Sequence, residues 1–235
     1  MKYRHELKYL INYPDLALIR MRLGALLQKD EHARDRPNGM YTVRSLYFDD
    51  YYNNSYNQKY MGISDRQKYR IRLYNQSTDV IFLERKVKRD HYIGKEISAL
   101  SKTEVENIMG GDYDFLLESP QELKRMFYHE CHSKIMRSRV VVDYEREPYV
   151  MDAGQVRINF DLNVRAGLSG LDIFDDKMVM VEVLEPHQLI MEVKFTEFLP
   201  DIVHKLIPAK ASELTAVSKF VLACDQTIYK RLSVF

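Results

Sequence analysis

The sequence has few cysteines and no long apolar segment. Its two cysteines, Cys131 and Cys224, lie in helical-looking stretches without the spacing of a disulfide framework, which indicates reduced core residues. The N-terminus shows no apolar signal segment, and no run approaches the length needed to span a membrane. We therefore expect a complete, cytoplasmic protein without direct membrane insertion.

Several catalytic motifs are also missing. Gly110-Gly111 is followed by Asp112 and lacks the lysine that a phosphate-cradling glycine loop requires. No serine occupies a nucleophile-elbow context. His129 and His132 could chelate a transition metal from one helix face, but without further spaced ligands surface histidines are the simpler interpretation.

The chain has no large excess of either charge. Its 35 basic and 34 acidic residues give a net charge of +1, whereas a protein that wraps nucleic acid usually carries a basic surplus. We therefore expect no nucleic-acid partner. With 235 residues, of which 46% are hydrophobic and 29% charged, the chain is predicted to form one domain, residues 1–235, with a large core.

What the sequence does contain is strand-like alternation in which the side chains sharing a face are charged. Lys68, Arg70 and Arg72 alternate with apolar residues, and in the next segment Glu84, Lys86 and Lys88 share a face opposite Leu83 and Val87. Such period-two alternation identifies half-buried strands. Three further segments repeat it, with faces formed by Arg4, Glu6 and Lys8, by Arg157, Asn159 and Asp161, and by Glu192 and Lys194.

This pattern predicts an α+β fold built on an antiparallel β-barrel of about eight strands, closed into a tunnel with helices packed around it. The predicted strands are residues 3–12, 42–49, 67–74, 80–88, 93–100, 138–145, 155–164, 178–184 and 189–195. Helices are predicted after Pro14, from the Ser101–Glu104 capping box to Gly110, over 119–136 and over 212–222. Residues 50–60 and 165–176 are expected to be irregular.

A lumen lined by cations predicts that the protein binds a polyanion. Polyphosphate needs several cations because each phosphoryl unit carries about one negative charge, and burying that charge unpaired is prohibitive. Arg70 and Arg72 lie one pleat apart and can grip neighbouring phosphates. Separate strands offer four further contacts: Lys8, Lys86, Arg157 and Lys194. For any one strand, the simpler interpretation is that these are surface charges on a solvated sheet. That interpretation becomes weaker because charged faces recur on several strands.

Carboxylates share these charged faces and admit two roles. They would either neutralise neighbouring Arg and Lys side chains or hold Mg²⁺ or Mn²⁺, since hard divalent ions take carboxylate oxygens and often share phosphate oxygens. The sequence leaves both roles open. Glu192 is the best candidate metal ligand, and the other carboxylates on charged faces are Glu6, Glu84 and Glu182.

An ordered set of motifs resembles the polyphosphate polymerase (VTC) domain, a member of the triphosphate tunnel metalloenzyme superfamily. The motifs are HELKY at 5–9, SLYFD at 45–49, KYRIRLY at 68–74, LERK at 83–86, VRINFD at 156–161, MEVKF at 191–195 and SKF at 218–220. They cover nearly the whole chain. The resemblance implies an antiparallel β-barrel tunnel with helices around it, in agreement with the alternation.

The resemblance also implies roles for individual residues. The phosphate-binding set would be Lys8, Arg70, Arg72, Lys86, Arg146, Arg157, Lys194 and Lys219. Arg70, Arg72, Lys86 and Glu192 would form the catalytic set, and Glu192 resembles the metal-binding glutamate of the family, with Glu84 and Glu6 as further candidate ligands. Tunnel hydrolases typically begin with Glu-x-Glu-x-Lys, whereas this chain has Arg4 in place of the first acid. That difference argues against a hydrolase and is compatible with the polymerase branch.

Three functions follow as hypotheses. The first is a phosphotransferase that uses Mn²⁺ or Mg²⁺ and elongates polyphosphate with the γ-phosphate of ATP. The second is a tunnel triphosphatase, in which water replaces the polyphosphate end, and the third is a non-catalytic module that binds polyphosphate or nucleotides. The expected ligands are ATP, triphosphate and polyphosphate. The eukaryotic polymerase carries its tunnel beside an inositol-phosphate-sensing domain and membrane helices, and this sequence contains neither, so the resemblance does not support synthesis coupled to translocation into an organelle. An unidentified membrane partner is left open.

Overall fold

Ten strands form one antiparallel sheet in the computed structural model, which describes residues 2–24, 26–206 and 217–232. The strands are β1 (Tyr3–Asn12), β2 (Gln28–Lys29), β3 (Tyr41–Asp49), β4 (Arg66–Tyr74), β5 (Ile81–Arg89), β6 (Tyr92–Leu100), β7 (Arg137–Met151), β8 (Val156–Gly167), β9 (Met180–Glu182) and β10 (Gln188–Phe195). Seven helices occur in the same described ranges: α1 (Tyr13–Leu23), α2 (Glu31–Arg34), α3 (Asn54–Tyr60), α4 (Lys102–Gly110), α5 (Glu122–Ser133), α6 (Asp201–Leu206) and α7 (Lys219–Leu232).

Eight of these strands close into a barrel. Their order is β7-β3-β4-β5-β6-β1-β10-β8, and pairing between β7 and β8 completes the ring, while β2 and β9 are additions at its margin. Closure leaves the eight ring strands paired on both sides, which removes exposed sheet edges. The predicted α+β fold with a closed antiparallel barrel is therefore confirmed.

Two large apolar cores lie on the outside of the barrel. The apolar side chains of β4, such as Tyr69 and Ile71, pack with Phe127 of α5 and Ile108 of α4. On another side of the ring, the outer faces of β1, β8 and β10 pack with α1 and α6. Fully burying a side chain such as Leu16 contributes about 1.5–3 kcal/mol. The outward core allows the inward faces to remain polar.

A third apolar cluster lies where α7 meets the inner wall. Phe220 and Cys224 of α7 pack against Tyr47, Val142 and Tyr144 of β3 and β7. The beginning of the helix thus occupies part of the barrel interior. Residues 212–216 of the helix predicted over 212–222 lie outside the described residues, and α7 begins at Lys219.

The two cysteines are buried and unpaired, as predicted. Burial raises the pKa of each thiol, that of Cys131 and that of Cys224, to about 12. Neither is therefore a reactive thiolate near neutral pH. Among the described residues, no helix combines the length and apolarity of a membrane crossing.

Local signals explain where the helices begin. Asn12 caps α1, its side chain accepting from the Asp15 backbone N–H while the Asp15 carboxylate accepts from the Asn12 N–H. Ser101 and Glu104 form the predicted capping box of α4. Such reciprocal caps satisfy backbone donors that the first turn of a helix leaves free.

The expectation that residues 50–60 are irregular is wrong, because α3 lies there. Its first turn is held from the end of β3: the Asp49 carboxylate accepts the backbone N–H groups of Ser55 and Tyr56, and Asp50 accepts that of Asn54. Those contacts join positions up to seven residues apart, and the Tyr- and Asn-rich composition gave no sign of them.

Two strands run further than predicted. β7 continues past residue 145 to Met151, through Pro148, because β8 pairs with it along that length. β8 likewise extends beyond residue 164 to Gly167, into the segment 165–176 that was expected to be irregular. Long-range pairing therefore overrides the proline and glycine signals at both strand ends.

Candidate functional site

The inward faces of the barrel enclose a cavity of about 1570 Å³. All eight residues predicted to bind phosphate line it: Lys8, Arg70, Arg72, Lys86, Arg146, Arg157, Lys194 and Lys219. Glu6 and Glu192 also line the cavity, and Glu84 contacts its arginines. The expectation that Glu182 shares this face is wrong, because it is exposed on β9 opposite Arg165.

The predicted arginine pair is held in place mainly by Glu84 and hydroxyl groups. Arg70 Nε donates to Glu84 Oε2 at 2.7 Å and its Nη1 donates to the Tyr47 hydroxyl at 2.8 Å. Arg72 Nε donates to Ser45 Oγ at 3.2 Å and its Nη2 to the Tyr144 hydroxyl at 3.1 Å. The pair is therefore pre-organised, and within the described part of the chain the two guanidinium groups share a single carboxylate, that of Glu84.

Glu84 stays ionised in this position. Burial alone would raise the pKa of its carboxyl, but Arg70, Arg72 and Lys95 hold that pKa well below its usual value. The same two arginines outweigh burial at Tyr47 and lower the pKa of its phenol. An uncompensated positive potential therefore remains around the arginine pair, which is the condition for anion binding.

Glu192 lies at the centre of a second cluster. Its oxygens contact Lys194 at 2.8 Å, Lys219 at 3.1 Å, Arg146 at 3.3 Å and Lys8 at 3.5 Å. Although burial would raise the pKa of Glu192, these cations hold it well below its usual value. Because one carboxylate is shared among four cations, it compensates each of them only in part.

The partial compensation is visible at Lys194. Burial lowers the pKa of its amine to about 7, even though Glu192 raises it, and nearby Arg146 lowers it further. The pKa of Lys219 shifts in the opposite direction. Burial would lower it, but Asp161 at 2.5 Å and Glu192 raise it well above the usual value. Lys219 is therefore permanently charged, whereas Lys194 can titrate near neutral pH.

Asp161 is a site residue to which the sequence analysis assigned no role. Arg146 grips its two oxygens with Nε at 2.7 Å and Nη2 at 2.8 Å, and Lys219 contacts it as well. The sequence did contain a signal that Asp161 faces the lumen, since Asp161 shares its strand face with Arg157. Two lysines on inward faces, Lys68 and Lys95, also line the cavity without having been assigned a role.

Lys8 occupies the space between two carboxylates. Its Nζ lies 3.4 Å from Glu6 Oε1 and 3.5 Å from Glu192 Oε1, and Glu6 also accepts from Lys86 at 2.8 Å. The pKa of Glu6 is lowered, because Lys86 and Lys8 outweigh both burial and the repulsion from Glu192. A cation position is thus built between Glu6 and Glu192.

That position fits a divalent ion in part. The residues the structure describes contain no group of three or more His, Cys, Asp and Glu side chains able to hold a metal alone. Glu6 and Glu192 would supply two carboxylates, and phosphate oxygens and water would supply the rest, as Mg²⁺ commonly accepts. Glu84 belongs to the separate Arg70–Arg72 cluster, so its metal role stays a prediction.

Arg157 lies near one end of the cavity, whereas Arg70 and Arg72 lie closer to its centre. Its guanidinium contacts Asp30 at 2.9 Å, the Tyr41 hydroxyl at 3.3 Å and Asn159 at 3.1 Å. About a third of the side chain is exposed, at 32%. Arg157 is therefore tied to the rim, where it can meet a ligand that enters from that side.

The two ends of the cavity differ in chemistry. β4 runs from Arg66 to Tyr74, roughly 26 Å at the usual rise of a strand. At the first end, Lys59, Arg66 and Lys88 line the opening, which we call the basic mouth. At the other end, which we call the aromatic mouth, Tyr41, Tyr74 and Phe82 line the opening together with acidic residues (Glu31, Asp35 and Asp79) and basic ones (His32 and Arg36).

A closed antiparallel barrel whose lumen is lined by lysine and arginine defines the class of the triphosphate tunnel fold. Within that class, the family model of the VTC domain matches residues 3–228. The chain therefore belongs to the VTC domain family, and the resemblance of its motifs is confirmed. No curated protein sequence matches the chain.

One solved structure shares the fold at low sequence identity, and two others are similar at lower TM-scores. HpAC1 from Hippeastrum, described as an adenylyl cyclase candidate with a dominant triphosphatase activity, aligns with a TM-score of 0.56 and 12% identity over 96% of each chain. PH1819 from Pyrococcus horikoshii OT3 aligns with a TM-score of 0.48 and 13% identity over 95% of this chain and 99% of its own. An adenylate cyclase candidate from Bacillus halodurans aligns with a TM-score of 0.48 and 12% identity over 100% of this chain and 93% of its own.

Proposed function

We propose that the protein is a metal-dependent phosphotransferase that elongates inorganic polyphosphate with the γ-phosphate of ATP. Membership of the VTC domain family supports this function. The observation that carries it is the convergence of lysines and arginines from seven barrel strands and α7 on one lumen, where they outnumber the carboxylates. Such a lumen is built for a ligand that repeats its negative charge along its length.

The proposed reaction requires no protein nucleophile. A terminal phosphate oxygen of polyphosphate attacks the γ-phosphorus of ATP, the bond from that phosphorus to the β–γ bridging oxygen breaks, and ADP leaves with the electron pair. The attacking oxygen is already anionic, so no base has to remove a proton. Catalysis then consists of positioning the two anions and neutralising their charge.

The described side chains can divide that work between two clusters. Arg70 and Arg72 present guanidinium groups from one strand face, which suits bidentate contact with neighbouring phosphates. Lys86 and Lys194 face them from other strands as point charges. Lys219 is fixed by Asp161 and Glu192, and so holds a permanent charge in the lumen.

Glu6 and Glu192 are the residues that would hold Mn²⁺ or Mg²⁺. When bound, such an ion neutralises phosphate oxygens and so favours charge build-up in the transition state. Lys8 now lies between the two carboxylates and would have to give up those contacts. Its Nζ also donates to the Val217 carbonyl at 3.3 Å, so that carbonyl offers it another partner.

Incubation with ATP and Mn²⁺ tests the proposal, with long polyphosphate followed on gels and free phosphate measured in parallel. Polymer growth with release of ADP is the expected result. Stoichiometric free phosphate without polymer would identify a triphosphatase instead, and ligand binding without metal-dependent turnover would identify a binding module. Lys102→Ala, an exposed lysine outside the cavity, serves as a matched control for lumen variants.

A further inference from the structure

The phenol of Tyr47 faces the lumen and has no task in the proposed elongation. Tyr47 lies on β3, lines the cavity and is only 7% exposed. Its hydroxyl accepts from Arg70 Nη1 at 2.8 Å, and within residues 2–24, 26–206 and 217–232 it donates to no protein group. A phenol can both donate and accept, so the hydroxyl proton and its oxygen are available to a ligand in the lumen.

The packing around Tyr47 fixes its oxygen beside the predicted phosphate-binding arginine. Tyr47 and Arg70 are direct partners in the β3–β4 ladder. The ring of Phe220 packs on the Tyr47 ring at a centroid distance of 5.3 Å, and the Arg70 guanidinium lies 5.6 Å from the same ring. A phosphate gripped by Arg70 would therefore be a neighbour of the phenol oxygen, and attack needs these atoms about 3–3.5 Å apart.

The charges around Tyr47 favour its ionised form. Burial alone would raise the pKa of the phenol, but Arg70, Arg72 and Lys219 outweigh burial and lower it. A tyrosine oxygen can act as a nucleophile, and a lowered pKa is one of the ways in which proteins activate such groups. The same cations would stabilise a phosphate attached to this oxygen.

A second tyrosine of the lumen differs in one respect that decides its chemistry. The Tyr144 hydroxyl accepts from Arg72 Nη2 at 3.1 Å, much as Tyr47 accepts from Arg70. Burial raises the pKa of Tyr144, and the negative charge of Asp161 adds to that shift against the nearby cations. The Asp161 carboxylate would also repel a phosphate attached to Tyr144. The lumen therefore distinguishes the two phenols in favour of Tyr47.

We propose that Tyr47 is a self-phosphorylation site, whose oxygen takes the γ-phosphoryl group of ATP when no polyphosphate end occupies the lumen. The bond from the phenol oxygen to the γ-phosphorus forms, and the bond from that phosphorus to the β–γ bridging oxygen breaks. ADP leaves with the electron pair, and the phenol proton passes to water. The use of ATP rests on the proposed function. Elongation does not pass through this product, because the polyphosphate end attacks ATP directly.

The modified side chain would block the site that made it. A phosphate on tyrosine carries about −1.5 to −2 charges, and on Tyr47 it would lie against Arg70 and Arg72. It would then hold the place of a ligand phosphate and weaken the binding of tripolyphosphate. Protein that meets ATP without an acceptor would thus inhibit itself.

Burial also determines which phosphoryl donor can reach this residue. With 7% of its surface exposed inside the barrel, Tyr47 is accessible to a small molecule in the lumen but not to the active site of another protein. Tyr52 and Tyr60, by contrast, are 73% and 75% exposed. These exposed tyrosines report any contaminating kinase, which would modify them before Tyr47.

The test incubates the whole chain, freed of bound polyphosphate, with Mn²⁺ and ATP labelled in its γ-phosphate, and maps the label by peptide mass spectrometry. We expect one phosphoryl group per chain, on Tyr47, stable to acid as a tyrosine phosphate ester is. Saturating linear polyphosphate added before ATP should suppress the label, because it fills the lumen. Tyr47→Phe should take up none, whereas Tyr52→Phe, the matched control, should be labelled as wild type is.

The wild-type map decides the proposal even if Tyr47→Phe displaces Arg70. An unlabelled wild-type protein under conditions in which calorimetry shows bound ATP would overturn it, and so would label on Tyr144, on Tyr52 or on an acid-labile residue. Label that polyphosphate does not suppress would place the chemistry outside the lumen and overturn it as well. Labelled protein should bind tripolyphosphate more weakly than unlabelled protein, and equal affinity would contradict self-inhibition.

Failure of this proposal is distinguishable from failure of the proposed function. If wild-type protein elongates polyphosphate while Tyr47 stays unmodified, self-phosphorylation is wrong and the polymerase stands. If ATP yields neither polymer nor label, both are wrong.

Discussion

Individual carboxylates in the lumen position cations as much as they neutralise them. Glu192 contacts four cationic side chains, and Glu84 contacts Arg70, Arg72 and Lys95. A salt bridge with a single partner would cancel its charge, whereas these shared contacts orient several cations and leave net positive charge. Removing a cation and removing a carboxylate should therefore have different effects on the ligand.

Arg72→Ala should weaken tripolyphosphate binding by about 1.5–3 kcal/mol, the usual value of a charge-assisted hydrogen bond. The physical reason is that Arg72 is buried, pre-organised by Ser45 and Tyr144, and shares one carboxylate with Arg70. Calorimetry measures the change, and Arg22→Ala, an exposed arginine on α1, is the control. Unchanged affinity in the Arg72 variant would remove this residue from the site.

Glu192→Gln should abolish metal-dependent turnover and leave metal-free polyphosphate binding largely intact. The amide keeps the volume but loses the charge that would hold a divalent ion, while the four cations around it stay in the lumen. Turnover with Mn²⁺ and calorimetry without metal separate the two effects. Glu182→Gln, at an exposed side chain of β9, is the matched control. Retained activity and metal dependence in the Glu192 variant would show that Glu192 only pairs with cations.

Lys59 should make long-chain polyphosphate binding depend on pH. Its pKa falls from the ordinary 10.5 to about 8, so its unfavourable charge is fully present below pH 8. Between about pH 8 and 10.5 Lys59 is protonated in the unfolded chain but neutral in the folded protein. The cost of burying its charge therefore no longer destabilises the fold as the pH rises through this range. Affinity for polyphosphate changes in the opposite direction and falls as the pH rises, because the neutral amine of Lys59 no longer attracts phosphate.

We therefore expect weaker long-chain binding at about pH 9 than at about pH 7, and a flatter profile in Lys59→Arg, whose guanidinium stays charged. Titrations at both pH values measure the difference. A Lys59→Arg profile as steep as that of wild type would assign the dependence to other groups.

At the scale of whole elements, the packing of helices on the outside of the barrel is what keeps its strands in place. Phe127 of α5 contacts the rings of Phe48 and Tyr69 at centroid distances of 5.0 and 5.2 Å, and it is fully buried. These neighbours belong to β3 and β4, the strands that carry Tyr47, Arg70 and Arg72. The helix thus supports the site without touching the lumen.

Phe127→Ala should lower the free energy of unfolding by about 3–5 kcal/mol, because it leaves a large cavity in the outer core. Urea unfolding measures this, with Met21→Ala, a 74% exposed side chain on α1, as the control expected to change little. Destabilisation below about 1 kcal/mol would mean that the outer core repacks around the gap.

The sequence predicted the strands whose two faces differ most. On β4 and β10 the alternation of charged and apolar residues was regular, and the inward set followed directly from it. The same alternation could not show that α3 is capped from Asp49, or that β7 continues through Pro148, because both depend on contacts formed only after folding. Nor could it show that Lys8 would lie between Glu6 and Glu192, since that depends on the register of β1 against β10.

At the scale of the whole molecule, the lumen charge should lower the stability of the free protein and make it sensitive to anions. Linear polyphosphate at about 100 times its Kd should raise Tm by roughly 5–10 °C, because binding then adds about 2.7 kcal/mol and each kcal/mol shifts Tm by about 2–4 °C. Scanning calorimetry measures the shift. An equal shift from sodium chloride at matched ionic strength would indicate screening rather than binding.

Closure of the eight-strand ring has a consequence for how a polymer could be held. A ring with every strand paired on both sides has no lateral slot, so a threaded chain can leave only by sliding lengthwise past each cation in turn. Under the proposed function, residence time should therefore grow with the number of phosphates, and successive additions should occur on one molecule before release. A cyclic polyphosphate has no end to insert, and however highly charged it is, the ring should exclude it.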